Sequence, residues 1–208
     1  MKKRVLPLFL ALALCLGILP TVAFAAEESD FVSDGMGWMT EYTGSGGDVV
    51  IPKGVTSIGP GAFWGCEKLT GVTIPDGVTS IGFYAFKGCV ALTSVTIPDS
   101  VTEIGNGTFC ECEKLTAVTI PDGVTAIADF VFRGCVNLTD ITIPGSVTSI
   151  GYAAFEMCES LTAIIIPCSV KKIHKTAFSD CNNLTIHSSA GSYAQKYAEK
   201  NKIPFVAE

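Results

Sequence analysis

The sequence predicts a β-rich solenoid: six stacked coils of 23 residues, with parallel sheet along its length, short helical turns at its corners and a cap at each end. Three observations carry that prediction. The dipeptide Ile-Pro begins at residues 51, 74, 97, 120, 143 and 166, without an insertion or deletion. Phenylalanine keeps the same step at Phe63, Phe86, Phe109, Phe132, Phe155 and Phe178, and leucine follows from Leu69 to Leu184. Cysteine does so at Cys66, Cys89, Cys112, Cys135, Cys158 and Cys181. A fixed period in the range of about 20 to 50 residues marks a repeat architecture, because one such unit cannot bury its apolar face alone.

The chain opens with Lys2, Lys3 and Arg4 before an apolar run that ends at Ala23-Phe24-Ala25. That pattern predicts a signal peptide over residues 1–25, cleaved after about Ala25. The run between Pro7 and Pro20 is too short to span a bilayer comfortably, and Cys15 follows Leu14 rather than the small residue a lipid-anchored cysteine would follow. The product is therefore expected to be secreted or held non-covalently at the cell surface, with no membrane span and as a monomer. Losing the leader leaves 11 basic against 20 acidic side chains, a net charge of −9, which argues against nucleic acid as a partner.

Residues 26–48 are expected to cap the first coil, as two short strands around Asp34-Gly35 with Trp38 plugging the end layer. The repeats run over 49–187. In the unit from Leu92 to Gly105, Leu92, Val95 and Ile97 alternate with polar residues and read as a half-buried strand. Pro98 lacks a backbone donor and ends that strand, and Asp99-Ser100 turns the chain. Val101 and Ile104 then point back inward, and the segment through Phe109 to Cys112 is expected to make a short helical turn. Residues 188–208 read as a closing cap: Ser192 and Gln195 form a capping box, Tyr193, Ala194, Tyr197 and Ala198 share one helix face, and a strand follows from Ile203.

The run Leu-x-x-Val-x-Ile-Pro-x-x-Val-x-x-Ile-Gly-x-x-Ala-Phe-x-x-Cys resembles the BspA-like, or treponemal-type, leucine-rich repeats of bacterial surface and secreted proteins. The resemblance covers Val49 to His187. It implies a right-handed solenoid used for adhesion or protein binding. Ala128 and His174 depart from it where the other copies have Gly, and Thr108 and Val131 where others have Ala.

The cysteine column invites a chemical reading that geometry opposes. Column neighbours have Cβ atoms near the coil spacing of about 4.8 Å, beyond the roughly 3.5 to 4.5 Å of a disulfide. Each cysteine sits between Phe and Leu in an apolar pattern, so the column is expected to be a ladder of buried free thiols. Cys110 and Cys168 lie outside it, and Cys110, in a column with Trp64, Lys87, Arg133 and Glu156, is expected to be exposed. No Cys-x-x-Cys occurs, His174 and His187 have no acid and nucleophile at recognisable spacing, and Asp76, Asp99 and Asp122 read as turn residues. No enzyme activity, metal or cofactor is expected. Threonine ladders (Thr70 to Thr185 and Thr56 to Thr148) suit exposed strands, although regular hydroxyls also suit ice.

What remains is the set of positions that do not repeat. Trp64, Phe83, Tyr84, Phe130 and Tyr152 fall around the Ala-Phe turn, where the core does not dictate the residue, and are the candidate binding side chains. The expected function is non-catalytic binding of an extracellular protein or glycan, as in adhesion. A structural spacer without its own ligand is the alternative. Lys171, Lys172 and Lys175 form a basic patch that reads as a solvated face.

Overall fold

A computed structural model describes residues 27–208; the expected leader at residues 1–25 lies outside them. After a 3-10 turn at Glu28–Asp30, β1 (Phe31–Ser33) and β2 (Trp38–Tyr42) form an antiparallel hairpin. Its turn is closed by the Asp34 carboxylate, which accepts from the N–H groups of Met36 (2.8 Å) and Trp38 (3.1 Å). Two kinds of strand then alternate. The longer ones follow the Leu column: β3 (Gly47–Val50), β5 (Leu69–Thr73), β7 (Ser94–Thr96), β9 (Ala117–Thr119), β11 (Asp140–Thr142), β13 (Ala163–Ile165) and β15 (Thr185–Ser188). The two-residue strands close each turn: β4 (Ser57–Ile58), β6 (Ser80–Ile81), β8 (Glu103–Ile104), β10 (Ala126–Ile127), β12 (Ser149–Ile150) and β14 (Lys172–Ile173).

Pairing within the repeats is parallel, and residues lie beside those 23 positions on, as Ile58 with Ile81 and Val72 with Val95, except where β13 meets β15 at an offset of 22, as Ile164 with Ile186, and at the start of β3, where Gly47 lies beside Leu69. Proline separates the two strand types. It cannot donate to the ladder, and its carbonyl accepts from the valine three residues later, as in Val101 to Pro98 (3.0 Å).

The third side of each coil is not helical. In the second coil the N–H groups of Ala85, Lys87 and Cys89 donate three residues back, to Gly82, Tyr84 and Phe86, while those of Tyr84, Phe86 and Gly88 donate to Asn106, Thr108 and Cys110 of the next coil. A helix would need every N–H for itself; here alternate donors are spent on stacking. Left-handed residues at Tyr84 (φ 56°) and Gly88 (φ 71°) produce that alternation, so the expected helical turns are staircases of β-turns.

The interior is an aromatic spine. Phe63, Phe86, Phe109, Phe132 and Phe155 are fully buried, with ring centroids 4.8 to 5.7 Å apart and near-parallel planes. Tyr42 stacks on Phe63 at 5.0 Å and Tyr197 meets Phe178 edge-on at 6.0 Å. A tyrosine therefore follows the phenylalanine column on either side, with Phe31 packed beyond Tyr42 at 5.3 Å, and each hydroxyl finds a backbone partner: Tyr42 accepts from Gly46 N–H (3.4 Å) and Tyr197 donates to the Lys175 carbonyl (3.3 Å).

The first layer is plugged by Met39 and Tyr42, both buried, and not by Trp38, which is 47 % exposed. The cap shortens the repeat: Trp38 pairs with Ser57, only 19 residues on, which turns the indole outward. At the other end Ser192 caps α1 (Tyr193–Asn201) by accepting from Gln195 N–H (3.2 Å). Gln195 reaches back to Gly191 rather than to Ser192. Ala194, Tyr197 and Ala198 are buried, whereas Tyr193 is 40 % exposed, and β16 (Phe205–Ala207) adds in parallel to β15.

Both long sheets are interrupted between the third and fourth coils, at β7/β9 and at β8/β10. On the short-strand side, Gly105 donates to Ile81 (2.8 Å) and Gly151 to Ile127 (2.9 Å), yet among the described residues Ala128 makes no such bond to Ile104. Thr125 likewise fails to reach Thr102, and on the other side Thr116 reaches Thr93 only at 3.5 Å. The glycine column explains the gap. A Cβ on Gly105 would lie 2.6 Å from the backbone nitrogen of Phe83 in the coil before, and Ala128 brings such a methyl. Gly123 adds to it, because the serines at its column positions 100, 146 and 169 donate their hydroxyls to the preceding coil and Gly123 has none to give.

His174, the other departure in that column, keeps its strand bond to Ile150 (2.9 Å); the bond missing there is the next one along, from Ala153 to Lys175. The remaining departures are absorbed. The Thr108 hydroxyl lies within reach of the Gly105 (2.8 Å) and Gly82 (3.1 Å) carbonyls, and Val131 is buried.

Amide hydrogen exchange is expected to find Thr125 and Ala128 less protected than their column equivalents Thr148 and Gly151, with Ala128→Gly raising protection at both positions. Phe109→Ala, beside the seam, is expected to cost about 3 to 5 kcal/mol in denaturant titration, the usual penalty for emptying a buried aromatic site.

Candidate binding surface

The β-turn staircase builds the surface that carries the five aromatic candidates, and it sorts them by depth. Trp64 is 61 % exposed, Phe83 56 % and Tyr152 42 %, while Tyr84 and Phe130 are half-buried. Tyr84 and Phe130 occupy one column with Gly61, Gly107 and Ala153, and all five have left-handed backbones. For an aromatic residue that conformation costs on the order of 1 kcal/mol or more. It is held by N–H donation from Tyr84 to Asn106 (2.9 Å) and from Phe130 to Tyr152 (2.8 Å). The small residues alternate with the large ones for a reason of space: a Cβ on Gly107 would fall 2.3 Å from the Tyr84 ring, so that glycine makes the bed on which the ring lies.

The five residues form two clusters and an outlier. Trp64 and Tyr84 face each other at 6.1 Å, and the Lys87 ammonium stands over both rings, at 5.4 and 5.5 Å. Further along, Phe130 meets Tyr152 edge-on at 4.9 Å, and Tyr152 meets the His174 ring at 4.9 Å. The third coil, with Asn106, Gly107 and Cys110, separates the clusters. Phe83 stands apart and, with Trp38, Ser57, Ser80 and Gly82, lines a groove of about 170 Å³.

Trp38 and His174 thus join the surface although sequence reasoning gave them other roles. Trp38 lies where the 23-residue register does not hold, and His174 was readable only as a break in the glycine column.

Charge runs beside the aromatic clusters as a rail. Lys87 approaches Glu111 at 3.8 Å, Arg133 approaches the same carboxylate at 4.0 Å, and the Arg133 Nε donates to Glu156. This rail buries Cys110, which is 2 % exposed and not at the surface as its column suggests. The side chain is short, and Lys87 and Arg133 on either side both lean to Glu111 across it.

The six column cysteines are free, five buried and Cys66 partly covered at the end of the array; Cys110 and Cys168 are free as well, with Cys168 exposed. From Cys89 on, each column Sγ lies 2.9 to 3.2 Å from the carbonyl of the phenylalanine 26 residues earlier, so the thiol fills space and satisfies a backbone acceptor. Burial pushes Cys89 up to about 12 and raises Cys112 and Cys135 likewise, while a hydrogen bond between the last two column thiols raises Cys158 and lowers Cys181. A thiol held protonated is a poor nucleophile and a poor metal ligand. Among the described residues no group of three His, Cys, Asp or Glu side chains could hold a metal ion. His187 pairs with Glu208 (3.1 Å) and His174 with Thr176 (2.9 Å).

The threonine ladders are likewise inward in their bonding. The hydroxyls of Thr93 and Thr139 donate to Thr70 and Thr116 (3.0 and 3.2 Å), and that of Thr148 to Thr125 (3.1 Å), so they serve the coil below.

Residues 42–127 match the BspA type leucine rich repeat region, in six copies. The repeats of this chain are leucine-rich repeats of the BspA type. A leucine-rich repeat protein of T. pallidum has a similar structure, with TM-score 0.74 and 27 % identity over 88 % of this chain and 100 % of that one. A leucine rich cell surface protein of Faecalibacterium prausnitzii has TM-score 0.67 and 35 % identity, over 78 % of this chain and 54 % of the other. The pneumococcal vaccine antigen PcpA shares the fold, with TM-score 0.65 and 17 % identity over 88 % of this chain and 49 % of its own. This chain thus spans about half the length of the last two. No curated protein matches the sequence.

Thiol titration is expected to show Cys168 reacting at once in the native state and all eight thiols from Cys66 to Cys181 reacting after unfolding without reductant; fewer than six would contradict free stacked cysteines. The raised thiols also set a pH limit. Their folded values lie above the unfolded thiol at about 8.5, so the stability they contribute is complete below that pH and is lost as pH rises toward the folded values. Denaturant midpoints are expected to be flat up to about pH 8 and to fall above it.

Proposed function

We propose that this protein is secreted or held at the cell surface and binds an extracellular protein or glycan without catalysing a reaction. The observation that carries this reading is the set of exposed aromatic rings, Trp64, Phe83 and Tyr152, on a rigid stacked backbone. Large rings cost little conformational entropy to immobilise and dominate binding hot spots. Two further rings, Tyr84 and Phe130, are kept at strained left-handed positions where neighbouring coils use Gly or Ala, and retained strain of this kind gathers at functional surfaces. Similarity to a protein described as a cell surface protein supports the location. Among the described residues no helix is long and apolar enough to cross a membrane.

The test is a binding screen of the chain against immobilised extracellular-matrix proteins and surface glycans, repeated with Trp64→Ala, Phe83→Ala and Tyr152→Ala combined. A loss of at least about tenfold in affinity with an unchanged melting temperature is expected, since single hot-spot truncations cost about 2 kcal/mol or more. Unchanged affinity would reject the aromatic surface, and absence of any binding by the unmodified chain would make it a spacer.

A further inference from the structure

Charge is divided unevenly along the solenoid. Residues 27–48 carry six carboxylates and no basic side chain, and residues 49–170 carry eleven carboxylates against five basic groups. Residues 171–208 reverse the balance, with six lysines against three carboxylates. Lys171, Lys172, Lys175, Lys196, Lys200 and Lys202 are all exposed, and among the described residues none lies within 4.0 Å of a carboxylate. Two of the three local carboxylates are engaged elsewhere, Glu208 by His187 and Glu199 by the Gln195 amide.

Folding draws these lysines together from two segments. Lys172 lies on β14, with Lys171 before it and Lys175 in the turn after it. Helix α1, which carries Lys196 and Lys200, packs against β14 and β15, and Tyr197 ties it to the Lys175 carbonyl. Lys202 caps that helix, and Lys175 and Lys202 line one pocket of about 330 Å³. Between them its wall offers the Ser179 hydroxyl and the Asn182 and Asn201 amides, along with the Asp180 carboxylate. Ammonium groups flanking hydroxyl and amide donors suit phosphate oxygens, and Asp180 favours a singly charged diester over a dianion. Of the large apolar side chains at the pocket, Phe178, Leu184 and Tyr197 are buried and Ile203 is partly buried, which leaves a bilayer little to hold.

We propose that this end of the solenoid docks onto a polyphosphodiester chain, with Lys175 and Lys202 gripping one diester and the other four lysines following the polymer. Residues 27–170, with seventeen carboxylates against five basic groups, are repelled by the same polymer. The protein is thereby held by its last coil, with the earlier coils projecting outward. This docking does not depend on the aromatic surface. A second copy presenting its acidic first cap, with six carboxylates, is the competing occupant.

The probe is a synthetic glycerol-phosphate polymer, titrated against the chain at several salt concentrations. Lys175→Gln with Lys202→Gln is expected to weaken binding at least tenfold and to lower the salt slope by about 2, one unit per lost contact. Lys53→Gln with Lys114→Gln, remote from the patch, is expected to leave binding unchanged, and thermal melts confirm folding of both pairs. Equal weakening by the two pairs, or no binding by the unmodified chain, overturns the proposal. Stronger binding to phosphatidylglycerol vesicles than to the polymer, or salt-sensitive self-association in sedimentation that consumes the same lysines, overturns it in favour of a membrane or a second copy.

Discussion

Stacking between coils in a strict 23-residue register is the constraint from which the other features follow. Every backbone turn must lie on the one before it, so each column must be compatible with itself. Phenylalanine satisfies that demand in the interior, where rings about 5 Å apart can stack offset face to face along the axis. Cysteine satisfies it beside phenylalanine, because a thiol is small, apolar when protonated and able to meet a carbonyl of the preceding coil. Glycine satisfies it where two coils come so close that no Cβ fits between them.

The same constraint shows what a single misfit does. Ala128 places a methyl where the backbone of the third coil already lies, and the parallel sheets open on both strand sides at that level. The β-turn side stays joined there, through Gly107 to Asp129, Phe109 to Val131 and Glu111 to Arg133. His174, the other non-glycine residue of that column, keeps its strand bond, and among the described residues the bond missing there is on the turn side. Repeat proteins hold together by nearest-neighbour interfaces, so a misfit is paid for locally and the array continues beyond it.

Surface chemistry is set by what the stacking leaves free. Most hydroxyls of the threonine columns, and the thiols of the cysteine column from Cys89 on, bond carbonyls of adjacent coils, which engages the two most regular features of the sequence within the stack. Irregular positions are left to face a partner. Of these, Trp64, Phe83 and Tyr152 project, whereas Tyr84 lies down over Gly107.

The sequence by itself determined the coil, its period and which columns are interior, because in a solenoid the neighbour in space is a fixed number of residues away. Wherever that rule holds, as from Val72 to Ile164, reading columns is equivalent to reading contacts. Tertiary structure alone decided what the rule does not reach. Trp38 turns outward because its cap pairs 19 rather than 23 residues on. Cys110 is buried because longer neighbours lean across it, and the corners are β-turns because alternate donors are taken by the next coil. The gathering of lysines from the last coil and the closing helix likewise arises from packing between segments that share no period.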